Sequence, residues 1–184
     1  MIGVLLAGGR GRRLGGVSKA AVEVAGRPLA AYPAAALAVV CERVAFVAKP
    51  ETELPRLPGV ERWDEPAEPQ HPVAGIVHAL EQAGEAVLVV AADMPYVTPD
   101  ACRSVIAGGG TSRAAVAVTG GVVQPLLAVY APAALEPLRA AAPDARLTDV
   151  VEALEPARVA LPPAIVRSVN NPGDLAAARA ELSA

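Results

Sequence analysis

A loop rich in glycine and basic residues directly follows the first apolar run of the sequence. It occupies positions 6–19 and reads Leu-Ala-Gly-Gly-Arg-Gly-Arg-Arg-Leu-Gly-Gly-Val-Ser-Lys. Glycines such as Gly8 and Gly9 let backbone N–H groups approach an anion, because no Cβ stands in the way. The arginines can donate two hydrogen bonds to one phosphate, and Lys19 adds a mobile positive charge. The loop therefore predicts a triphosphate-binding site, with a glycine-rich turn on a basic surface as the alternative.

The spacing within this loop excludes two common nucleotide-binding motifs. The dinucleotide motif Gly-x-Gly-x-x-Gly would start at Gly9 and Gly11, but Leu14 stands where its third glycine is needed. A P-loop would need its lysine directly after a glycine and before Ser or Thr, whereas Lys19 follows a serine and precedes Ala20. We therefore expect neither hydride transfer nor the chemistry of P-loop kinases.

A carboxylate stands at the end of a second apolar run. Asp93 directly follows Val-Leu-Val-Val-Ala-Ala at 87–92 and precedes Met-Pro-Tyr. Magnesium prefers hard oxygen ligands and is often held by one or two carboxylates together with substrate phosphates. We therefore predict that Asp93 binds Mg²⁺, with a turn or helix-start aspartate as the alternative.

Strands and helices alternate along the predicted chain, and this order would bring the loop and Asp93 together. The alternation predicts a single α/β domain over 1–184, with a mostly parallel sheet covered by helices on both faces. The carboxyl ends of parallel strands are where such sheets bind ligands. Apolar runs predict strands at 2–7, 44–48, 86–91, 114–118 and 126–130, with a weaker one at 166–169. Alanine-rich segments predict helices at 28–41, 73–83, 99–107, 132–141 and 172–182.

One long segment does not fit this alternation. Residues 50–72 carry six prolines and many of the acidic side chains of the sequence. A connection of this length is commonly functional, so we expect it to border a binding cleft, with a short strand at 60–63. A solvated surface loop is the alternative.

Composition excludes several classes of protein. The chain has 184 residues with 53% hydrophobic and 19% charged residues, which suits a folded domain with a large core. A net charge of −3 and 3% aromatic residues do not suit a nucleic-acid-binding protein. The apolar stretch 29–41 contains Pro33 and is too short to span a bilayer, and residues 1–7 lack the features of a signal peptide. Cys41 and Cys102 match no metal or disulfide pattern, so we expect packing roles and a cytoplasmic protein.

The loop resembles the signature of molybdenum cofactor guanylyltransferases, Leu-Ala-Gly-Gly-x-Ser-x-Arg-Met-Gly-Gly-x-Asp-Lys-Ala. Arg13 and Lys19 stand at the matching positions. Gly11 replaces the usual serine, Leu14 the methionine and Ser18 the aspartate.

Further segments resemble the same family in the same order along the chain. Asp93-x-Pro-Tyr resembles its metal-binding motif, and residues 71–76 resemble Gly-Pro-Leu-Ala-Gly-Ile. Asp64 falls where family members carry a nucleotide-contacting aspartate, which can accept hydrogen bonds from guanine or a ribose. Residues 124–130 resemble Gln-Pro-Leu-Phe-Ala-Leu-Tyr. Residues 170–175 resemble Asn-Thr-Pro-Glu-Asp-Leu, which the family associates with the acceptor.

The resemblance implies a Rossmann-like nucleotidyltransferase of three layers and a specific reaction. In that reaction GMP passes from GTP to the phosphate of molybdopterin with Mg²⁺, which releases pyrophosphate and forms molybdopterin guanine dinucleotide. It also implies transient contacts with proteins that deliver or receive the cofactor. The implied catalytic residues are Arg13, Lys19 and Asp93, the last also binding the metal, and the implied acceptor ligand is Asn170, because Asn171 can cap the last helix. The implied nucleotide ligands are Leu6, Ala7, Gly8, Gly9, Lys19, Asp64 and Asp93.

Three alternatives remain open on the sequence. Val47 lies nearest the position where some members carry a base-reading asparagine, so CTP is an alternative donor. The sequence Leu-Ala-Gly-Gly, in place of the Leu-Ala-Ala-Gly of cytidylyltransferases, and the absence of their Gly-His-Pro motif favour guanine. GTP could also react with another phosphate acceptor, such as adenosylcobinamide phosphate. The third alternative is a nucleotide-binding partner module without catalysis.

Overall fold

The main sheet has seven strands, in a computed structural model that describes residues 1–8 and 18–183. Its strands are β1 Ile2–Leu6, β4 Arg43–Ala48, β5 Val60–Asp64, β6 Val87–Ala91, β7 Ala114–Thr119, β8 Val122–Tyr130 and β9 Ala157–Ala160. A hairpin adds β2 Glu23–Val24 and β3 Arg27–Pro28. The α-helices are α1 Ala31–Val40, α2 Pro72–Ala83, α3 Pro99–Gly109, α4 Leu135–Arg139, α5 Leu147–Glu152 and α6 Pro172–Leu182. Of these described helices, none has the length and apolar character needed to cross a membrane.

The strand order is β5-β4-β1-β6-β8-β7-β9, and β8 alone of these seven described strands runs against its neighbours. Strands β1 and β6 are buried along their whole length, as continuous apolar runs in a parallel sheet should be. Leu6 at the end of β1 pairs with Val47 on one side and Ala91 on the other. The segments that follow β1, β4 and β6 therefore begin side by side at one edge of the sheet.

Helices cover both faces of this sheet. Because side chains alternate between faces along a strand, Leu5 packs on the side of α1 and α3. Its neighbour Val4 packs on the other side with Ile76 of α2 and Val151 of α5. The predicted three-layer α/β architecture with a mostly parallel sheet is confirmed.

A small third cluster fixes the C-terminal segment beside the main sheet. Val24 of the hairpin and Leu29 pack against Val169 and Ala178 of the segment that contains α6. The Val169 backbone N–H donates a hydrogen bond to the Asp93 carbonyl at 2.9 Å. This contact brings the start of α6 to the carboxyl end of β6.

The predicted elements differ from the observed ones mainly in the second half of the chain. The predicted strand at 166–169 is wrong, because a 3₁₀ turn at Pro163–Val166 leads into an extended segment that pairs with no strand of the described chain. The edge strand is β9, whose alternate residues are exposed, which gives it a short and weak apolar signal. Helix α5 was not predicted, and the predicted helix at 132–141 is a 3₁₀ turn, Pro132–Ala134, followed by α4.

The start of α6 is held by a capping box, and its removal should be measurable. The Asn171 side chain accepts from the Asp174 N–H at 3.0 Å, and the Asp174 carboxylate accepts from the Asn171 N–H at 3.1 Å. We expect Asn171→Ala to lower the free energy of unfolding by about 1 kcal/mol, the usual value of such a cap. Urea denaturation should show a lower midpoint with an unchanged slope, whereas Asn171→Ser should keep most of the stability. An unchanged midpoint for the alanine variant would contradict this role.

Candidate active site

A cleft of about 750 Å³ opens at the carboxyl ends of β1, β4 and β6. Its volume is in the range typical of small-molecule sites. Its floor is formed by strand ends and its rim by the segment between β4 and α2. The described lining residues are Leu6, Ala7, Gly8, Ser18, Lys19, Ala20, Lys49, Glu51, Thr52, Glu53, Glu65, Gln70, His71, Pro72, Ala91, Ala92, Asp93 and Leu126.

Three of the predicted site residues meet at one end of this cleft. The Lys19 ammonium lies 3.0 Å from a carboxylate oxygen of Asp93 and 2.5 Å from the amide oxygen of Asn170. Only about a fifth of the Lys19 and Asp93 side chains is exposed, 19% and 20% respectively. Residues separated by 74 and 151 positions thus form one polar cluster. The Lys19 ammonium, held between two side-chain oxygens beside the cleft, is well placed to bind a phosphate.

Each member of this cluster is positioned by the backbone around it. Lys19 begins a 3₁₀ turn that is tied to the next segment, because the Ala30 N–H donates to the Ala20 carbonyl at 3.1 Å. Asp93 follows β6, and its carbonyl accepts the bond from Val169 described above. The Asn170 N–H donates to the Asp174 carboxylate at 2.7 Å, which links Asn170 to the capping box of α6.

The oxygen ligands of the cluster suit a divalent cation that is shared with substrate. Across residues 1–8 and 18–183, no three His, Cys, Asp or Glu side chains are grouped closely enough to hold a metal by themselves. Asp93 supplies one carboxylate and Asn170 one amide oxygen, both hard donors, beside the cleft. Such a set fits a cation whose remaining ligands are phosphate oxygens and water.

The remaining predicted residues fall in different places. Leu6, Ala7 and Gly8 line the cleft, as predicted. Gly9 and Arg13 lie outside the described residues.

Asp64 is separated from the Lys19 cluster. It ends β5, and its half-exposed carboxylate accepts a hydrogen bond from the Arg62 guanidinium at 2.7 Å. It is not among the described residues that line the cleft. The structure therefore does not bring Asp64 together with Lys19 and Asp93.

The proline-rich segment borders the cleft, as predicted, and contains β5. Two charged residues at strand ends, Lys49 after β4 and Glu65 after β5, are buried in its wall. Sequence reasoning missed both, although the strand-end position that singled out Asp93 applies equally to them. Lys49 donates to the carbonyls of Pro66 and Pro69 at 2.5 and 2.9 Å, which fixes the bend between β5 and α2.

The two cysteines take no part in this site. Burial raises the pKa of Cys41 to about 11 and that of Cys102 to about 12. Both thiols are therefore protonated at neutral pH and pack in the apolar layer of α1 and α3. The predicted packing role is confirmed.

A second groove of about 520 Å³ has Asn170 among its lining residues. Arg167 stacks over the Tyr96 ring at 4.4 Å there and pairs with Glu181 at 2.9 Å. Gln124 and Asp174 also line it. The Lys19 cluster therefore links the two concave surfaces, because Lys19 and Asp93 line the cleft and Asn170 lines the groove.

Residues 3–159 match the MobA-like NTP transferase domain. The chain is 34% identical to a molybdenum cofactor guanylyltransferase of Cereibacter sphaeroides over 196 aligned residues, covering 99% of this chain and 97% of that protein. Its fold is similar to molybdopterin-guanine dinucleotide biosynthesis protein A from Archaeoglobus fulgidus, with a TM-score of 0.77, 24% identity, and 100% and 99% of the two chains covered. It is also similar to 2-C-methyl-D-erythritol 4-phosphate cytidylyltransferase from Thermus thermophilus, with a TM-score of 0.75, 22% identity, and 99% and 98% covered. The chain therefore belongs to the MobA-like NTP transferase family, and it is a nucleotidyltransferase.

Proposed function

We propose that the protein transfers GMP from GTP to the phosphate of molybdopterin, with Mg²⁺, to form molybdopterin guanine dinucleotide. The observation that carries the proposal is the cluster of Lys19, Asp93 and Asn170 between the cleft and the groove. The cleft suits the nucleotide and the groove suits the acceptor, so the transferred phosphate would lie at their junction. The relative from Cereibacter sphaeroides, named for this activity and aligned over nearly the full chain, gives independent support.

The reaction needs alignment and charge neutralisation more than covalent chemistry by the protein. An oxygen of the acceptor phosphate attacks the α-phosphorus of GTP, the bond to the bridging oxygen of the β-phosphate breaks, and pyrophosphate leaves. Backbone groups of Leu6, Ala7 and Gly8 would hold the nucleotide, and the Lys19 ammonium would contact its phosphates. Mg²⁺, when held by Asp93, would supply neutralisation of the triphosphate charge.

The other predicted ligands keep the roles that the family resemblance implies for them. Asn170, at the border of the groove, would orient the acceptor phosphate. Gly9 and Arg13 remain predicted phosphate contacts of the loop. Asp64 remains a predicted contact of the base or ribose, which would require its carboxylate to leave Arg62.

The direct test is pyrophosphate release by the purified protein with Mg²⁺, GTP and molybdenum-loaded molybdopterin. We expect release that depends on the acceptor and stops when the metal is chelated. Parallel reactions with CTP, or with adenosylcobinamide phosphate as acceptor, separate the related activities. Preferred use of CTP would overturn the guanine assignment, and preferred use of the cobinamide would overturn the acceptor. Binding of GTP without turnover on either acceptor would contradict the proposed activity.

A further inference from the structure

Glu65 is the most deeply buried carboxylate of the cleft wall. It directly follows β5, is only 5% exposed, and its N–H donates to the Ala48 carbonyl at 2.9 Å. Burial raises the pKa of its carboxyl group above the usual range, and the nearby charge of Lys49 opposes that rise. The backbone thus holds an ionisable group in a place where its charge is costly.

One oxygen of this carboxylate lacks a hydrogen-bond donor among the described residues. The Lys49 ammonium lies 3.5 Å from Oε2, without hydrogen-bond geometry, and donates instead to the carbonyls of Pro66 and Pro69. Oε2 is buried and accepts no hydrogen bond from the described part of the chain. A buried acceptor without a hydrogen bond is costly, although the Lys49 charge offsets part of that cost. A ligand that donates hydrogen bonds would remove that cost.

Glu65 Oε2 lies near Leu6, a residue proposed to hold the nucleotide. A Cβ added to Gly75, in the first turns of α2, would lie 3.3 Å from Glu65 Oε2 and 3.1 Å from Leu6 Cδ1. The side chains of Glu65 and Leu6 therefore both pack against the backbone of Gly75. A larger residue at position 75 would occupy the space between them. Both residues line the cleft.

We propose that Glu65 selects guanine by accepting hydrogen bonds from the N1–H and the N2 amino group of the base. This inference rests on the proposed function, in which a nucleotide binds beside Leu6. A carboxylate offers acceptors only. Guanine presents two adjacent donors on its Watson–Crick edge, whereas adenine and cytosine each present a donor beside an acceptor. Glu65 thereby supplies base recognition in a chain that carries buried Val47 nearest the position where some family members carry a base-reading asparagine.

The decisive experiment changes the Glu65 carboxylate to an amide. It measures a loss of affinity for GTP and a gain of affinity for xanthosine triphosphate. An amide offers one acceptor and one donor, which matches the N1–H and the C2 carbonyl of xanthine. We expect Glu65→Gln to bind GTP roughly 10- to 100-fold more weakly, as for loss of a hydrogen bond to a charged group. The same variant should bind xanthosine triphosphate more tightly than the unchanged protein does. Calorimetry with both nucleotides and Mg²⁺ measures the two dissociation constants.

Matched variants separate base recognition from a purely structural role. Glu42→Gln makes the same change at an exposed carboxylate beyond the amino end of β4, and it should leave the preference for GTP unaltered. Glu65→Asp keeps the acceptors, so it should retain a preference for GTP over xanthosine triphosphate even if both bind more weakly. An unchanged ratio in Glu65→Gln, or a preference for xanthosine triphosphate in Glu65→Asp, would overturn the inference. If the unchanged protein fails to bind GTP at all, the proposed function itself fails.

Discussion

Asp93→Asn is expected to lower turnover by about a hundredfold or more while leaving metal-free nucleotide binding nearly unchanged. The amide keeps the size of the side chain but removes the negative charge that would hold the cation during transfer. Loss of one preorganised electrostatic group in an active site typically costs about 10²–10³ in rate. Steady-state kcat with Mg²⁺, together with the Kd of GTP measured in a chelator, separates the two effects.

The control for this variant is an Asp→Asn change elsewhere on the surface. Asp100 is exposed in the first turn of α3, pairs with Arg103 at 2.5 Å, and is not among the described residues that line the cleft or the groove. We expect Asp100→Asn to keep full turnover. If Asp93 only shaped the turn after β6, asparagine would replace it at a cost of a few tenths of a kcal/mol. Near-normal turnover in Asp93→Asn, with an unchanged melting transition, would therefore remove the metal assignment.

Lys19→Ala is expected to lower nucleotide affinity and turnover together. The ammonium would contact phosphate before the reaction as well as during it, so its loss weakens ground-state binding too. Hydrogen bonds to a charged group contribute about 1.5–3 kcal/mol, which corresponds to roughly 10- to 100-fold in Kd. Calorimetric titration with GTP and the ratio kcat/KM measure the two consequences. The different patterns of Asp93→Asn and Lys19→Ala distinguish a cation ligand from a phosphate ligand.

Lys19→Arg provides the matched comparison, because it keeps the charge but changes its shape. It should retain nucleotide affinity better than alanine, although the larger, planar guanidinium presents its donors in a different geometry from the ammonium that contacts Asp93 and Asn170. Intact GTP affinity and intact turnover in Lys19→Ala, accompanied by a raised melting temperature, would show that the ammonium serves neither binding nor catalysis.

The parts of the fold that sequence reasoning predicted are those with continuous local signals. Strands β1 and β6 are uninterrupted apolar runs, and their parallel pairing places Ala7, after β1, and Asp93, after β6, at the same edge of the sheet. Strand β9 gave no such signal, because it lies at the sheet edge with half of its residues exposed. Local pattern predicts elements that are buried on both faces better than elements that are half exposed.

The acidic residues at the end of β5 show why part of the candidate site could not be predicted. Asp64 and Glu65 are adjacent carboxylates, yet Asp64 faces Arg62 at the surface while Glu65 is buried against Lys49. Consecutive residues of an extended chain point in opposite directions, so the register of β5 decides which one enters the wall. That register depends on pairing with β4 and on packing against Gly75, which are distant in sequence.

The distribution of basic residue types has a practical consequence for chemical labelling. Both lysines of the sequence, Lys19 and Lys49, line the cleft, whereas the outer ion pairs to Glu61, Glu81 and Glu181 use arginine. The lysine amines of this sequence therefore lie only in the cleft, and the amine of Met1 pairs with Glu85 at 2.7 Å. Lys49 is 9% exposed and bound to two carbonyls, which leaves Lys19 as the more reactive side-chain amine. Modification of a single lysine, read by intact-mass spectrometry, would then report whether the cleft is occupied.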